Sequence, residues 1–393
     1  MKLGSLFDGS GTCPLAARMC GVEPVWASEI EPYPIRVTQK NFPGMQHLGD
    51  IKQIDGAKIE PVDVITFGSP CQDLSTAGKQ AGLIDGERSS LFFEAIRIIR
   101  EMREATDGKY PRYAVWENVP GAFGSNRGRD FLAVLRAFAD IAGDGDDVPA
   151  PKGKGDRLSW SKSGCIMGDG YSIAWRQLDA QYWGVPQRRR RIYLVTDFAG
   201  QRAGKILFER EGLRGDFAPG AGARQRAAAE TAGGAGGSDQ PAEVIGAFMA
   251  GQGAKAGSIA YSETIAPTLR AGESGTNRAP TICVSSARLH AEIMTDKAPT
   301  LLAQSIAYMC RDSNQIPLKI DEARPPRKYI LRRLTPLECC RLQGFPDDWT
   351  EGVEGSDAAQ YKMWGNGMAL PCVLYVMQGI AEAGGASDAD DAD

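Results

Sequence analysis

Through the first two hundred residues, short β-branched and aliphatic runs alternate with amphipathic stretches, the pattern of βαβ units. Lys2 to Phe7 reads as a strand ending in glycines, Val25 to Glu29 as a second ending in an acid, and Val62 to Phe67 as a third that runs into Gly68-Ser69-Pro70-Cys71. Leu91 to Arg103 is helical in period, with Leu91, Ile96, Ile98, Ile99 and Met102 as apolar anchors. Tyr113 to Trp116 is a strand that ends at Glu117-Asn118, Phe131 to Ile141 a helix, and Ser172 to Leu178 and Ile192 to Thr196 closing strands.

Loops separate these units: Gly143 to Arg157 is a polar, Gly/Pro-rich surface insertion, and Pro219 to Pro241, beyond which the alternation stops, is low in complexity and reads as a flexible segment. Residues 242–328 hold Thr, Ser, Gly and short strand-like pieces without helical period, and Ala-Pro-Thr-Leu occurs there twice, at 266–269 and 298–301. Helical character returns at Thr335, and Cys372 to Ile380 reads as a buried helix before an acidic tail. The expected organisation is an α/β domain over residues 1–198 and a smaller, irregular β-rich domain over 199–360. A segment over 361–385 returns to the first domain, and the tail covers 386–393.

Composition narrows the function classes. A chain of 393 residues with 42% hydrophobic and 24% charged residues is globular rather than disordered. No apolar run approaches a membrane span and the amino terminus has no signal-peptide pattern, so a cytoplasmic protein with no membrane partner is expected. Nine scattered cysteines without a Cys-x-x-Cys pair disfavour both a disulfide framework and a zinc site, and no metal is expected. With only His47 and His290, histidine-dependent hydrolases start low. The net charge of −4 conceals a basic block: residues 181–345 hold 23 Lys+Arg against 15 Asp+Glu, the footprint of a polyanion-binding face.

Chemistry collects at predicted strand ends. Gly9 and Gly11 follow the first strand and permit close backbone approach to a nucleotide-like ligand, while Pro14 stands where a dinucleotide fingerprint needs its third glycine. Glu29 falls 18 residues after Gly11 at the end of the second strand, where an acid can bind ribose hydroxyls. Together they suggest an adenosine ligand lacking a pyrophosphate, the shape of S-adenosylmethionine. Cys71 closes the third strand at the ligand edge of a parallel sheet, and Ser75 to Ser90, with Gly78, Gly82 and Gly86, has the composition of a closing loop. Glu117 ends another strand at the same edge, and alternation along Gln187-Arg188-Arg189-Arg190-Arg191 sends Arg189 and Arg191 to one face, which is either a solvated, phosphate-binding surface or the crevice that holds Cys71 and Glu117.

The ordered set Phe7-x-Gly9-x-Gly11, Pro70-Cys71-Gln72, Glu117-Asn118-Val119, Gln187-x-Arg189-x-Arg191, Arg332-x-Leu334-Thr335-Pro336-x-Glu338-Cys339-x-Arg341-x-x-Gly344-Phe345-Pro346 and Gly365-Asn366 resembles the cytosine-5 DNA methyltransferases, bacterial or phage type, over residues 3 to 380. Asp8, Thr12 and Gly367-Met368 depart from the family pattern without removing a catalytic residue.

The resemblance implies a Rossmann-like, S-adenosylmethionine-dependent methyltransferase domain with a β-rich target-recognition domain, the motif at 332–349 lying between the two. It implies that Cys71 attacks carbon 6 of a flipped cytosine, that Glu117 holds ring nitrogen 3 and the exocyclic amine, and that Arg191, supported by Arg189 and Gln187, binds the ring oxygen. Phe7, Asp8, Gly9, Gly11, Glu29, Ile30, Asp50, Ile51, Pro70, Leu91, Asn366 and Met368 are the implied cofactor residues. Ser75, Gly78, Lys79, Gln252, Thr268 and Arg270 are the implied DNA contacts, Thr268 being preferred to Thr300 of the second repeat. The implied partner is double-stranded DNA, bound by a monomer in a bacterial or phage-infected cell, with a cognate restriction endonuclease where the enzyme serves restriction–modification. The same chemistry on transfer RNA, or a catalytically silent DNA-binding protein, are the alternatives; about 140 residues between Arg191 and Arg332 favour DNA.

Overall fold

The computed structural model describes residues 1–69, 90–145, 148–208, 244–248, 265–269, 281–286 and 328–385. The chain divides into two compact units. The first comprises residues 1–179, 190–215 and 370–393, and the second residues 180–189 and 216–369.

The first unit is built on an eight-stranded sheet. In chain order its strands and main helices are β1 (Lys2–Leu6), α1 (Thr12–Met19), β2 (Glu23–Ser28), α2 (Pro32–Asn41), β3 (Gln46–His47), β4 (Val64–Phe67), α3 (Ser90–Ala105), β5 (Tyr113–Asn118), α4 (Arg129–Ile141), β6 (Ser163–Met167), β7 (Ser172–Asp179), β8 (Arg190–Asp197) and α5 (Ala203–Leu207). The sheet order is β3-β2-β1-β4-β5-β8-β7-β6, with β1 to β5 parallel and β8, β7 and β6 antiparallel to their neighbours. The chain moves outward from β1 through β2 to β3, then returns to place β4 on the other side of β1. That reversal opens a crevice beyond the carboxyl ends of β1 and β4, where doubly wound sheets bind ligands.

Period sets the helices. In α4 the buried side chains Phe131, Val134, Leu135 and Phe138 recur at three- and four-residue steps, and in α3 Phe92, Ala95, Ile96, Ile99 and Met102 do the same. Both stripes close on Phe67 and Trp116 of the sheet, in one aromatic-rich core. On α1 packs the C-terminal helix, α8 (Leu370–Gly385), which also carries Tyr375 Oη to the Leu207 carbonyl at 2.8 Å. Gly4 is required in β1, since a Cβ there would lie 2.1 Å from the Trp26 ring.

The second unit contains a three-stranded antiparallel sheet in the order β11-β10-β9, formed by β9 (Val244–Phe248), β10 (Thr281–Ser286) and β11 (Lys328–Arg333). Two helices follow, α6 (Pro336–Leu342) and α7 (Asp357–Asn366). Thr335 and Glu338 form a capping box at the start of α6: Thr335 Oγ1 accepts from the Glu338 N–H at 3.2 Å, and Glu338 Oε2 accepts from the Thr335 N–H at 2.7 Å. Phe345 packs against both Trp349 and Trp364, its ring centroid 5.1 Å from each and its plane tilted to the first and edge-on to the second. Among the described residues, no helix is long and apolar enough to cross a membrane.

Candidate active site

The turn that leaves β1 is left-handed at three positions, Phe7 (φ 54°), Gly9 (φ 57°) and Gly11 (φ 78°). Gly11 is the N-cap of α1. This path brings the Asp8 N–H to the Ser28 carbonyl at 3.0 Å and the Gly9 N–H to Glu29 Oε2 at 2.9 Å. Glu29 Oε1 accepts from the N–H groups of Ile30 and Glu31 at 2.8 and 2.9 Å. A carboxylate offers about four lone-pair sites, so three backbone bonds fix Glu29 and leave capacity for a ligand hydroxyl. Ile30 beside it is 66% exposed, an apolar side chain standing at the crevice edge.

Ser28 Oγ donates to the Gly49 carbonyl at 2.7 Å and so holds Gly49-Asp50 against the end of β2. Asp50 Oδ1 accepts from the Lys52 N–H at 3.0 Å, capping the short helical turn Ile51–Gln53. Ile51 is buried, and Leu91 is half-buried in the first turn of α3. Asp8 is buried beneath the glycine turn, where Ser5 Oγ donates to its Oδ1 at 2.7 Å. Burial raises its carboxyl to about 7; the Ser5 bond opposes this and the Glu29 carboxylate adds to it.

One strand along, Trp116 Nε1 donates to Ser69 Oγ at 3.2 Å, tying the chain that leaves β4 to the end of β5. Ser69 directly precedes Pro70-Cys71, and a lone serine there carries no pattern that would mark it. Glu117 and Arg191 then meet across the β5–β8 ladder, with Arg191 Nε 3.0 Å from Glu117 Oε1. Their side chains are only 11% and 15% exposed, so the ion pair is shielded from solvent and preorganised. Asn118 is fully buried, and its Oδ1 accepts from the Val119 N–H at 2.7 Å.

The expectation that Arg189 and Arg191 share a face is corrected. The β7–β8 ladder begins at Arg190, opposite Asp179, so strand alternation does not govern Arg189. Arg189 is 2% exposed and belongs to the second unit, where its guanidinium donates to the carbonyls of Leu269 (3.1 Å), Gly365 (3.1 Å) and Gly367 (2.5 Å). Gln187 is fully buried, and neither polar atom of its side-chain amide has a hydrogen-bond partner among the described residues. Its backbone forms a bridge with Ala266, and the Thr268 hydroxyl donates to the Arg188 carbonyl. The first Ala-Pro-Thr-Leu copy is therefore fastened to Gln187–Arg189. Asn366 is exposed at the end of α7, and Met368 is half-buried.

Pro70, Cys71, Ser75, Gly78, Lys79, Gln252, Arg270 and the second repeat at 298–301 lie outside the described residues. Among the described cysteines, burial pushes the thiols of Cys13 and Cys340 up to about 12 and that of Cys339 well above its ordinary value.

The model of the C-5 cytosine-specific DNA methylase family matches residues 1–142 and 251–382. A DNA N-6-adenine-methyltransferase of Escherichia phage P1 is 29% identical over 97% of this chain, which spans 61% of that protein's own length. The type II methyltransferase M1.ScrFI of Lactococcus lactis subsp. cremoris is 25% identical over 97% of this chain and 78% of its own. In fold, the chain is similar to DNMT2 of Spodoptera frugiperda, with a TM-score of 0.56 at 18% identity over 96% of this chain and 99% of the other.

Proposed function

Since this chain belongs to the C-5 cytosine-specific DNA methylase family, we propose that it transfers a methyl group from S-adenosylmethionine to carbon 5 of a cytosine flipped out of duplex DNA. The observation that carries the reading is the shielded Glu117–Arg191 pair at the carboxyl edge of the sheet. A carboxylate and a guanidinium held side by side match the two polar edges of cytosine. Glu117 accepts from the exocyclic amine and meets ring nitrogen 3, while Arg191 donates to the ring oxygen.

The glycine turn and the unspent accepting capacity of Glu29 suit an adenosine ligand. Phe7, Asp8, Gly9, Gly11, Glu29, Ile30, Asp50, Ile51, Pro70, Leu91, Asn366 and Met368 would hold S-adenosylmethionine, which when bound supplies an electrophilic methyl group on a sulfonium. The chain's own residues do the rest. Cytosine carbon 5 is a weak nucleophile, so the Cys71 thiolate first adds to carbon 6 and releases electron density onto carbon 5. Glu117 and Arg191 stabilise the charge that gathers on the ring. Once carbon 5 carries the methyl group, loss of its proton expels Cys71. Gln187 and Arg189 act on this site by holding the segment that leads to Arg191.

Target choice is assigned to the second unit, where Gln252, Thr268 and Arg270 would read the DNA, and Ser75, Gly78 and Lys79 of the first unit would contact it. The anchoring of Thr268 to Arg188 supports the first repeat as the copy in use. The name of the phage P1 relative raises adenine N6 as the other acceptor. An amine nucleophile needs no thiol addition, so Cys71 separates the two readings. Plasmid DNA from cells expressing the protein should yield 5-methyldeoxycytidine on nucleoside mass spectrometry and protected cytosines at one sequence after bisulfite treatment. Methylation found on adenine alone, or only in transfer RNA, would overturn the proposal.

A further inference from the structure

A concentrated positive surface is formed by residues to which no role is assigned above. After β5 the chain makes a turn in which Asn126 (φ 45°), Arg127 (φ 58°) and Gly128 (φ 86°) are left-handed in succession, and α4 starts at Arg129. The segment from Pro151 to Lys162 folds back as a small loop closed by an antiparallel bridge between Lys152 and Leu158. It is fastened to the first turn: the Leu158 N–H donates to the Arg127 carbonyl at 2.9 Å, and Trp160 Nε1 to the Gly128 carbonyl at 2.7 Å. A Cβ on Gly128 would lie 2.7 Å from the Leu158 carbonyl oxygen, so glycine permits this contact.

The doubled loop gathers charge. Residues 124–129 and 151–163 hold six cations, Arg127, Arg129, Lys152, Lys154, Arg157 and Lys162, against the single carboxylate of Asp156. All six are exposed. Asp156 pairs with Arg127 and lies 3.8 Å from Arg129, whereas the other four form no ion pair with any described residue. Leu158 and Trp160, the apolar members, are partly buried against the Gly128 turn. The surface therefore lacks the exposed aromatic anchor of a protein-binding patch and suits a polyanion whose charge repeats along its length.

Topology places it on the catalytic edge. Asn118 ends β5 opposite Ile192 near the start of β8, Asp179 ends β7 opposite Arg190, and Ser163 starts β6 opposite Arg176. The Lys162 carbonyl accepts from the Gln177 N–H at 2.7 Å, which fixes the loop's exit to that same edge. Three strand spacings, about 14 Å, separate β6 from β5 and Glu117, and on a duplex that distance corresponds to about four base pairs.

We propose that this doubled loop grips the phosphodiester backbone of duplex DNA beside the target base, a contact that raises affinity without reading sequence. The inference rests on the DNA reading above. Its test measures binding of the full chain to a 30-base-pair duplex as salt is varied, alongside tritium transfer from labelled S-adenosylmethionine to plasmid DNA. With Lys152, Lys154 and Arg157 all changed to Ala, three phosphate contacts are lost, and the slope of log K against log salt should become shallower by about 2.7. The methylated sites and the turnover at saturating DNA should stay as in the unmodified protein. Lys154→Glu, a single change at an exposed position, should weaken binding in the same direction and guards against misfolding of the triple variant. An unmodified protein that methylates DNA, paired with variants that keep its full salt slope, overturns the inference alone. An unmodified protein that neither binds nor methylates DNA overturns the functional reading with it. Variants that lose affinity for transfer RNA while duplex binding is unmoved would also overturn it.

Discussion

Arg191 Nε lies 3.0 Å from Glu117 Oε1 across the β5–β8 ladder, joining two residues 74 positions apart in the chain. Both side chains are largely withdrawn from water, so each sets the orientation and charge of the other before any substrate arrives. Glu117→Gln and Arg191→Ala should each slow methyl transfer by on the order of 10²-fold or more while leaving cofactor affinity near that of the unmodified protein. Single-turnover rates and calorimetry with S-adenosylhomocysteine check this. The two changes combined should cost less than the sum of the single effects, because the residues act as a unit.

Arg189 should behave differently from Arg191. Its buried guanidinium serves the carbonyls of Leu269, Gly365 and Gly367, and Arg189→Ala would leave those acceptors buried without a donor. A loss of about 3 kcal/mol or more is expected. Arg189→Lys should rescue little, since one ammonium cannot span the three sites a planar fork reaches. The readout that separates the two arginines is the rate: Arg191→Ala loses methyl transfer at temperatures where the variant stays folded, even though it too lowers Tm by stranding the shielded Glu117 carboxylate, whereas the effect of Arg189→Ala is on Tm.

Much of this architecture is legible in the sequence because burial imposes period. The strands at Lys2, Tyr113 and Ser172 and the helices at Leu91 and Phe131 declare themselves by alternation or by three- and four-residue steps. Other elements do not, helix α2 and strand β6 among them. Helix α2 opens with Pro32-Tyr33-Pro34, which reads as a break, yet proline is tolerated in a first turn, where N–H groups lack helical partners anyway. Strand β6 is an edge strand with alternate residues exposed and with Gly164 under the Trp175 ring, so it carries no apolar run to find. At the site, Glu29 and Glu117 were legible as acids ending strands. The destination of Arg189 was not, because its partners are backbone carbonyls 80 and more residues away, and a carbonyl leaves no trace in a side-chain pattern. Likewise Thr335 and Glu338, read as family signature, are engaged in capping α6.

Glu29→Ala should weaken S-adenosylmethionine binding by about 1.5–3 kcal/mol, the worth of hydrogen bonds to a charged acceptor. The same change frees the N–H groups of Gly9, Ile30 and Glu31, so the glycine turn loses its fastening as well. Calorimetry should show this loss for Glu29→Ala and not for Glu117→Gln. Equal behaviour of the two variants would contradict the separation of cofactor and base sites.

Asp8 makes stability depend on pH. Its carboxyl is raised to about 7 in the folded protein, from an ordinary value near 3.8, because burial disfavours the charged form. Between those values the folded state holds a proton that the unfolded state has released, so the stability Asp8 contributes falls as pH rises through that window. Asp8→Asn mimics the protonated acid at every pH and keeps an acceptor for Ser5. The Tm of Asp8→Asn minus that of the unmodified protein should therefore increase from pH 5 to pH 8. A difference that stays flat or decreases would contradict the burial of an ionisable group beneath the glycine turn.

The central claim is that Cys71 attacks the base covalently. DNA with 5-fluorocytosine at the methylated position offers no carbon 5 proton to remove, so Cys71 cannot be expelled once the methyl group is in place. Mixed with such DNA and S-adenosylmethionine, the protein should give a denaturation-resistant protein–DNA band in gel electrophoresis. Cys71→Ser should abolish that band. Cys13→Ser, Cys339→Ser and Cys340→Ser should each retain it, since those thiols are buried and remain protonated at neutral pH. A band that survives in Cys71→Ser, or that the unmodified protein never forms on DNA it methylates, would contradict the account.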